Sequence, residues 1–266
     1  MMNWTELNEQ AKAWIKEAGE NIKRSFNKTL VIQTKTNAND LVTDIDKGTE
    51  QFFIKKIKAK YPHHKILGEE GFGDDVDNMN GIVWIIDPID GTTNFIHQQR
   101  NFAISIGIYE DGIGKIGLIY DVVHNELYHS LKGNGVYLND LQLLPLAEVA
   151  VSEAIIGMNA TWVTKNKRID PSILSPLVSD ARGTRSYGSA ALEMAYIAAG
   201  RLDAYITLRL APWDIAAGII IVEELGGVAT NLRGEPLNLL EKNTIFISKP
   251  GLHKEILAKY LKNGKW

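Results

Sequence analysis

The chain of 266 residues contains no cysteine. Disulfides, thiolate metal sites and thiol nucleophiles are therefore excluded, although the redox compartment stays open. Excess positive charge is also missing. The 29 Lys and Arg against 32 Asp and Glu leave a formal net charge of −3, which argues against a general polyanion-binding surface. Six histidines show no ligand spacing, and His97 reads as a packing residue. The longest apolar run, 215–222, is far too short to span a membrane. Residues 1–26 lack a basic start followed by an apolar core. No internal repeat, low-complexity tract or linker interrupts the chain. These absences lead us to expect a cytoplasmic protein with no membrane and no nucleic-acid partner.

What is present reads as layered α/β. Trp4, Leu7, Ala11, Ile15, Ala18, Ile22 and Phe26 fall at helical spacing, and 45–60 forms a second amphipathic segment with Phe52, Phe53 and Ile57. The stretches 102–109, 115–122 and 126–138, separated by Asp111-Gly112 and broken at Gly133-Asn134-Gly135, predict an antiparallel meander. From Ala154 the pattern changes to strand 155–159, helix 190–199, strand 204–207 and helix 214–225. Gly200 and Gly226-Gly227 serve as helix ends. Sheets alternating with helix pairs suggest layered packing.

The most informative run is Trp84-Ile-Ile-Asp87-Pro88-Ile89-Asp90-Gly91-Thr92-Thr-Asn-Phe95. An apolar strand over 82–86 ends in two carboxylates three residues apart, followed by a glycine and two hydroxyls. Pro88 fixes its own φ and keeps Asp87 extended. A turn starting at Asp87 is expected to bring both carboxylates to one side and expose the Ile89 carbonyl. A lone Asp-Pro-x-Asp is usually surface punctuation. Here Gly68-Glu69-Glu70-Gly71 supplies a second acidic strand end, and Pro212-Trp213-Asp214 opens an apolar helix. If Glu69, Asp87, Asp90 and Asp214 converge, like charges about 4 Å apart repel by about 4 kcal/mol per pair at an effective dielectric of about 20. Such a cluster takes up protons or binds cations. A protonated pair accounts for two carboxyls and leaves the others unexplained. Carboxylates plus a main-chain carbonyl, without thiolate or a His pair, favour magnesium over zinc or copper.

Asp40-Leu-Val-Thr43 with Asp46, Gly68-Glu69-Glu70, Asp87 to Phe95, Gly188-Ser189-Ala190 and Trp213-Asp214-Ile-Ala-Ala-Gly218 occur together in this order. In this the sequence resembles the inositol monophosphatase family over roughly residues 40–227. The resemblance implies the five-layer α-β-α-β-α sandwich of the sugar-phosphatase fold. One unit over 1–266 is expected, with an N-terminal α+β half (about 1–150) and a C-terminal α/β half (about 151–266). It implies two to three Mg2+ ions per site. Glu69, Asp87 and the Ile89 carbonyl would hold the first; Asp87, Asp90 and Asp214 the second; Glu69 would help hold a third, weaker one. It further implies lithium sensitivity, a homodimer, and in-line attack on phosphorus by metal-activated water. Thr92, held by Asp46, matches the position that orients that water, with Glu69 assisting. A threonine alone is a poor base at neutral pH, so Thr92 reads as a relay. The amides of Gly91 and Thr92, beside Asp90, are expected to meet the phosphate.

Gly188, Ser189 and Ala190 match the helix start that contacts inositol hydroxyls in the family. Animal-type members carry a glutamate where this chain has Thr207, and Arg209 follows two residues later. Losing a carboxylate and gaining a guanidinium makes the pocket more tolerant of a second anion. The expected activity is magnesium-dependent hydrolysis of small phosphate monoesters, foremost inositol-1-phosphate. NADP, fructose 1,6-bisphosphate and 3′-phosphoadenosine nucleotides remain alternatives. A regulatory partnership with the transcription machinery is the alternative of a different class.

Overall fold

The computed structural model describes residues 2–26, 31–34 and 41–265. Asp40, part of one family-like motif, lies outside them. Helix α1 (Trp4–Ser25) is followed by the short antiparallel pair β1 (Ile32–Thr34) and β2 (Leu41–Thr43), then helix α2 (Asp44–Lys60). Next come β3 (Lys65–Gly68), β4 (Ile82–Asp90), α3 (Thr92–Gln98), β5 (Ala103–Glu110), β6 (Ile113–Asp121), β7 (Glu126–Leu131), β8 (Val136–Leu138) and β9 (Leu141–Gln142). Strands β3 to β9 form one seven-stranded sheet in sequence order, antiparallel except for β3 and β4. The second part runs β10 (Ile155–Met158), α4 (Pro171–Asp180), β11 (Gly183–Arg185), α5 (Ala190–Ala198), β12 (Ala204–Leu210), α6 (Pro212–Glu224), β13 (Val228–Thr230), β14 (Asn243–Ser248) and α7 (Leu252–Lys259). Its five-stranded sheet has the order β11-β10-β12-β14-β13.

Side-chain alternation along the strands separates the layers. Trp84, Ile104, Ile106, Ile108, Leu118 and Tyr120 face α1 and α2, joining Leu7, Ile15 and Phe53 in one core. Val83, Ile85 and Tyr109 face the other way, against Ala216 and Ile220 of α6. Helices α5 and α6 are buried on nearly every side, because they lie between the two sheets. Their apolar residues merge with Ile245 and Ile247 of β14, while α4 and α7 cover the outer face through Leu174, Ile206, Phe246 and Ile256. The result is the five-layer α-β-α-β-α sandwich. Helix α6 sits unusually close to the large sheet, since a Cβ on Gly107 of β5 would fall 2.8 Å from the Ala216 Cβ.

Residues 126–138 divide at the glycine turn into β7 and β8, as the turn signal there leads one to expect. One expectation changes: β4 does not stop at Ile86 in a turn. It continues to Asp90 with a register irregularity, because Asp87 pairs with Ser105 and Asp90 with Ala103. Three steps on β4 thus oppose two on β5, which is a bulge. Pro88, with no N–H to donate, is suited to such a break in the ladder.

Candidate active site

In a regular strand, residues three apart point to opposite faces. The bulge adds one residue of phase and turns Asp87 and Asp90 to the same face, opposite Ser105 and Ala103, while Ile89 enters the core on the α1–α2 side. Asp214 arrives from the facing layer as the third residue of α6. Pro212 opens that helix, and the Asp214 Oδ2 accepts the Ala211 amide at 2.7 Å. Carboxylate oxygens of Asp87, Asp90 and Asp214 lie within 4.8 Å of one another.

Asp87 and Asp90 are almost fully buried. Burial pushes the Asp87 carboxyl well above its usual range, and the charges of Glu69, Asp90 and Asp214 push it further. Asp214 is likewise raised by burial, then by Asp90. Asp90 rises only to about 6, because its Oδ2 accepts the Ser189 hydroxyl at 2.5 Å and the Ala191 amide at 2.6 Å. Without a cation, this trio holds its charge only at high cost. Oxygen donors of like charge at this spacing are what a hard divalent ion takes as ligands, so the residues fit a divalent metal.

Beside the trio stands a second acidic position. Asp46 is the third residue of α2, where its Oδ2 accepts the Thr43 amide at 2.9 Å and completes a capping box. Its Oδ1 is left to face Thr92, whose Oγ1 lies 3.0 Å away and also 3.1 Å from the Ile89 carbonyl oxygen. One hydroxyl proton serves one of these acceptors at a time. Burial raises the Asp46 carboxyl above its usual range, and hydrogen bonds from Thr43 and Thr92 oppose the rise. Glu69 follows β3 directly, with its amide donating to the Ile86 carbonyl at 3.3 Å. It stays outside the tight trio, yet its charge acts on Asp46, Asp87, Asp90 and Asp214 alike.

Residues 3–265 match the profile of the inositol monophosphatase family. The chain belongs to that family. It is 60% identical over 261 residues to the inositol-1-monophosphatase of Bacillus subtilis (strain 168), covering 98% of both chains. The structure of a staphylococcal inositol monophosphatase II with 2′-AMP bound matches with a TM-score of 0.89 at 47% identity, over 96% of this chain and 94% of that one. An inositol monophosphatase/NADP phosphatase complexed with NADP and Ca2+ matches with a TM-score of 0.90 at 27% identity, over 97% and 95%.

Other predicted residues of this inositol monophosphatase family member fall around the carboxylates in different ways. Gly91 lies against Gly188, where an added Cβ would sit 3.3 Å from the Gly188 carbonyl oxygen. Ser189 caps α5, accepting the Leu192 amide at 3.3 Å while donating to Asp90. Its side chain therefore faces the acidic trio. Ala190 follows as the first residue of α5 and is buried. Thr207 is buried on β12, whereas Arg209, two residues on, is exposed. Sequence reasoning missed Asn94, whose Nδ2 donates to the Asn101 and Tyr187 carbonyls at 2.7 Å each and ties α3 to the loop before Gly188. It also missed Glu193, buried on α5, whose Oε1 accepts the Tyr187 amide at 2.8 Å. The signal in each case was a polar residue inside an otherwise apolar or motif-bound stretch.

Proposed function

We propose that this chain is a magnesium-dependent phosphomonoesterase whose foremost substrate is inositol-1-phosphate. The observation that carries this reading is the convergence of Asp87, Asp90 and Asp214 from two layers of the fold. Glu69, Asp87 and the Ile89 carbonyl are assigned to one ion, and Asp87, Asp90 and Asp214 to a second, with Glu69 also reaching a third. Magnesium held there would supply the positive charge that lets a phosphate dianion approach carboxylates and would acidify the attacking water. The chain's own residues do the rest. Asp46 accepts the Thr92 hydroxyl proton, leaving a lone pair on Thr92 Oγ1 for the attacking water. As that water loses its proton to Thr92, the threonine proton passes to Asp46, whose raised affinity suits a proton acceptor. Amides of Gly91 and Thr92 are assigned to the phosphate oxygens. The alcohol side is assigned to Gly188, Ser189, Ala190 and Thr207, with Arg209 at the rim.

A second substrate class has specific support. The staphylococcal relative is seen with 2′-AMP, and NADP carries the same kind of ribose 2′-phosphate. Phosphate release should be measured from inositol-1-phosphate, 2′-AMP, NADP, fructose 1,6-bisphosphate and 3′-phosphoadenosine 5′-phosphate, with magnesium and with EDTA. Release from inositol-1-phosphate that requires magnesium is the expected result. Release that ignores EDTA removes the metal reading. No release from any ester removes the enzyme reading and favours a regulatory role. Light scattering of the same preparation tests the expected homodimer.

A further inference from the structure

Helix α2 carries a second buried carboxylate one turn after Asp46. Glu50 is fully inaccessible to solvent. Its Oε2 accepts the Glu70 amide at 2.7 Å and its Oε1 accepts the Phe72 amide at 2.9 Å. These amides belong to the turn that begins with Glu69, and the two bonds flank that residue on its C-terminal side. On the other side, the Glu69 amide is anchored to the Ile86 carbonyl, one residue before Asp87. Gly68 makes room for the arrangement, since a Cβ there would lie 2.5 Å from the Glu50 carboxyl carbon. A buried carboxylate is costly unless its oxygens receive donors, and two backbone N–H groups supply charge-assisted bonds. Residues four apart lie on one helical face, so α2 presents Asp46 to Thr92 and Glu50 to the Glu69 turn in a fixed relation.

We propose that Glu50 is a positioning residue for the metal site, clamping the 69–72 turn so that the Glu69 carboxylate is held beside Asp87. The inference rests on the reading of Glu69 as a metal-side carboxylate. Glutamine cannot substitute, because it offers one acceptor oxygen and would turn its NH2 toward the other amide. Loosening a residue that orients a ligand typically weakens metal affinity by about 10–100-fold.

The test measures Mn2+ and Mg2+ binding by calorimetry on the full chain, together with amide exchange at Glu70 and Phe72 in EDTA. Glu50→Gln should bind both ions at least about tenfold more weakly and exchange faster at both amides, while kcat at saturating magnesium stays within about threefold. Gly68→Ala, whose methyl group presses on the Glu50 carboxylate, should give the same weakening and decides the matter if Glu50→Gln does not fold. Glu69→Gln separates the two claims. Weaker binding in Glu69→Gln with unchanged binding in Glu50→Gln overturns the clamp alone. Unchanged binding in both overturns the Glu69 reading as well.

Discussion

Two groups of carboxylates meet in this site, and their surroundings differ. On α2, Asp46 and Glu50 are wrapped by donors: Thr43 and Thr92 for the first, the Glu70 and Phe72 amides for the second. At the β4 bulge and the α6 start, Asp87, Asp90 and Asp214 also accept donors (the Ile89 amide, the Ser189 hydroxyl with the Ala191 amide, and the Ala211 amide), but each in addition has the other two carboxylates within 4.8 Å. Burial raises Asp46 too, but its hydrogen bonds pull back, whereas for Asp87 the neighbouring charges push the same way as burial. A carboxylate whose lone pairs are taken by N–H and O–H groups braces the frame. One whose neighbours are carboxylates is shaped to receive a cation.

The contrast is most severely tested by neutralising one receptor carboxylate. Asp87→Asn and Asp90→Asn are each expected to lower turnover by at least about a thousandfold, because each removes a charged ligand. In EDTA their melting temperatures should not fall, since lost repulsion offsets lost contacts. Near-normal activity of either variant in excess magnesium contradicts the assignment. Next in size is Thr92→Ala, expected to reduce kcat by about a hundredfold while calorimetric magnesium binding stays unchanged. A loss confined to KM would make Thr92 a phosphate contact only.

Glu193 sharpens the comparison from the α5 side. Burial lifts its carboxyl to about 7, the Tyr187 amide opposes this, and Asp90 adds to it. Its folded affinity for the proton exceeds that of the unfolded chain, so stability falls as pH rises from about 4.5 to about 7. In EDTA, Glu193→Gln should gain about 1–3 kcal/mol over wild type between about pH 5 and pH 8, read from denaturant curves. Parallel curves for the two proteins would mean that Glu193 stays ionised throughout. The smallest effect is expected at the exposed Arg209, which is proposed to stand at the rim. Arg209→Ala should reduce kcat/KM for NADP or fructose 1,6-bisphosphate by about tenfold, the scale of a charged hydrogen bond, and leave inositol-1-phosphate nearly unchanged. Equal losses for all substrates place Arg209 outside recognition.

Much of the receptor could be read from the chain because its residues sit at element boundaries that leave marks. Pro212 announces the start of α6, and the apolar run before Asp87 announces a strand. The bulge left no such mark: Asp-Pro reads equally as a turn, and the extra residue appears only when β4 is paired with β5. The brace was hidden for another reason. Glu50 sits among polar neighbours in a helix of modest amphipathicity, and only its facing Phe53 and Ile57 hint that it is buried. Its partners are backbone amides twenty and more residues away, which have no side-chain identity for a pattern to detect. Helix α4, with Pro176 inside it, and the strand β14 were likewise unread, since short segments with mixed character carry weak periodicity.

The donors to Asp90 have a mechanical meaning. Asp90 belongs to the seven-stranded sheet, while the Ser189 hydroxyl and Ala191 amide that grip its Oδ2 belong to the start of α5. These two bonds act as a dowel through adjoining layers, and one layer cannot slide over the other without shearing them. A cation that fixes Asp90 to Asp214 would drive the dowel deeper. The two sheets should therefore melt as one cooperative body, and magnesium should slow hydrogen exchange in β12 and β14 as well as in β4.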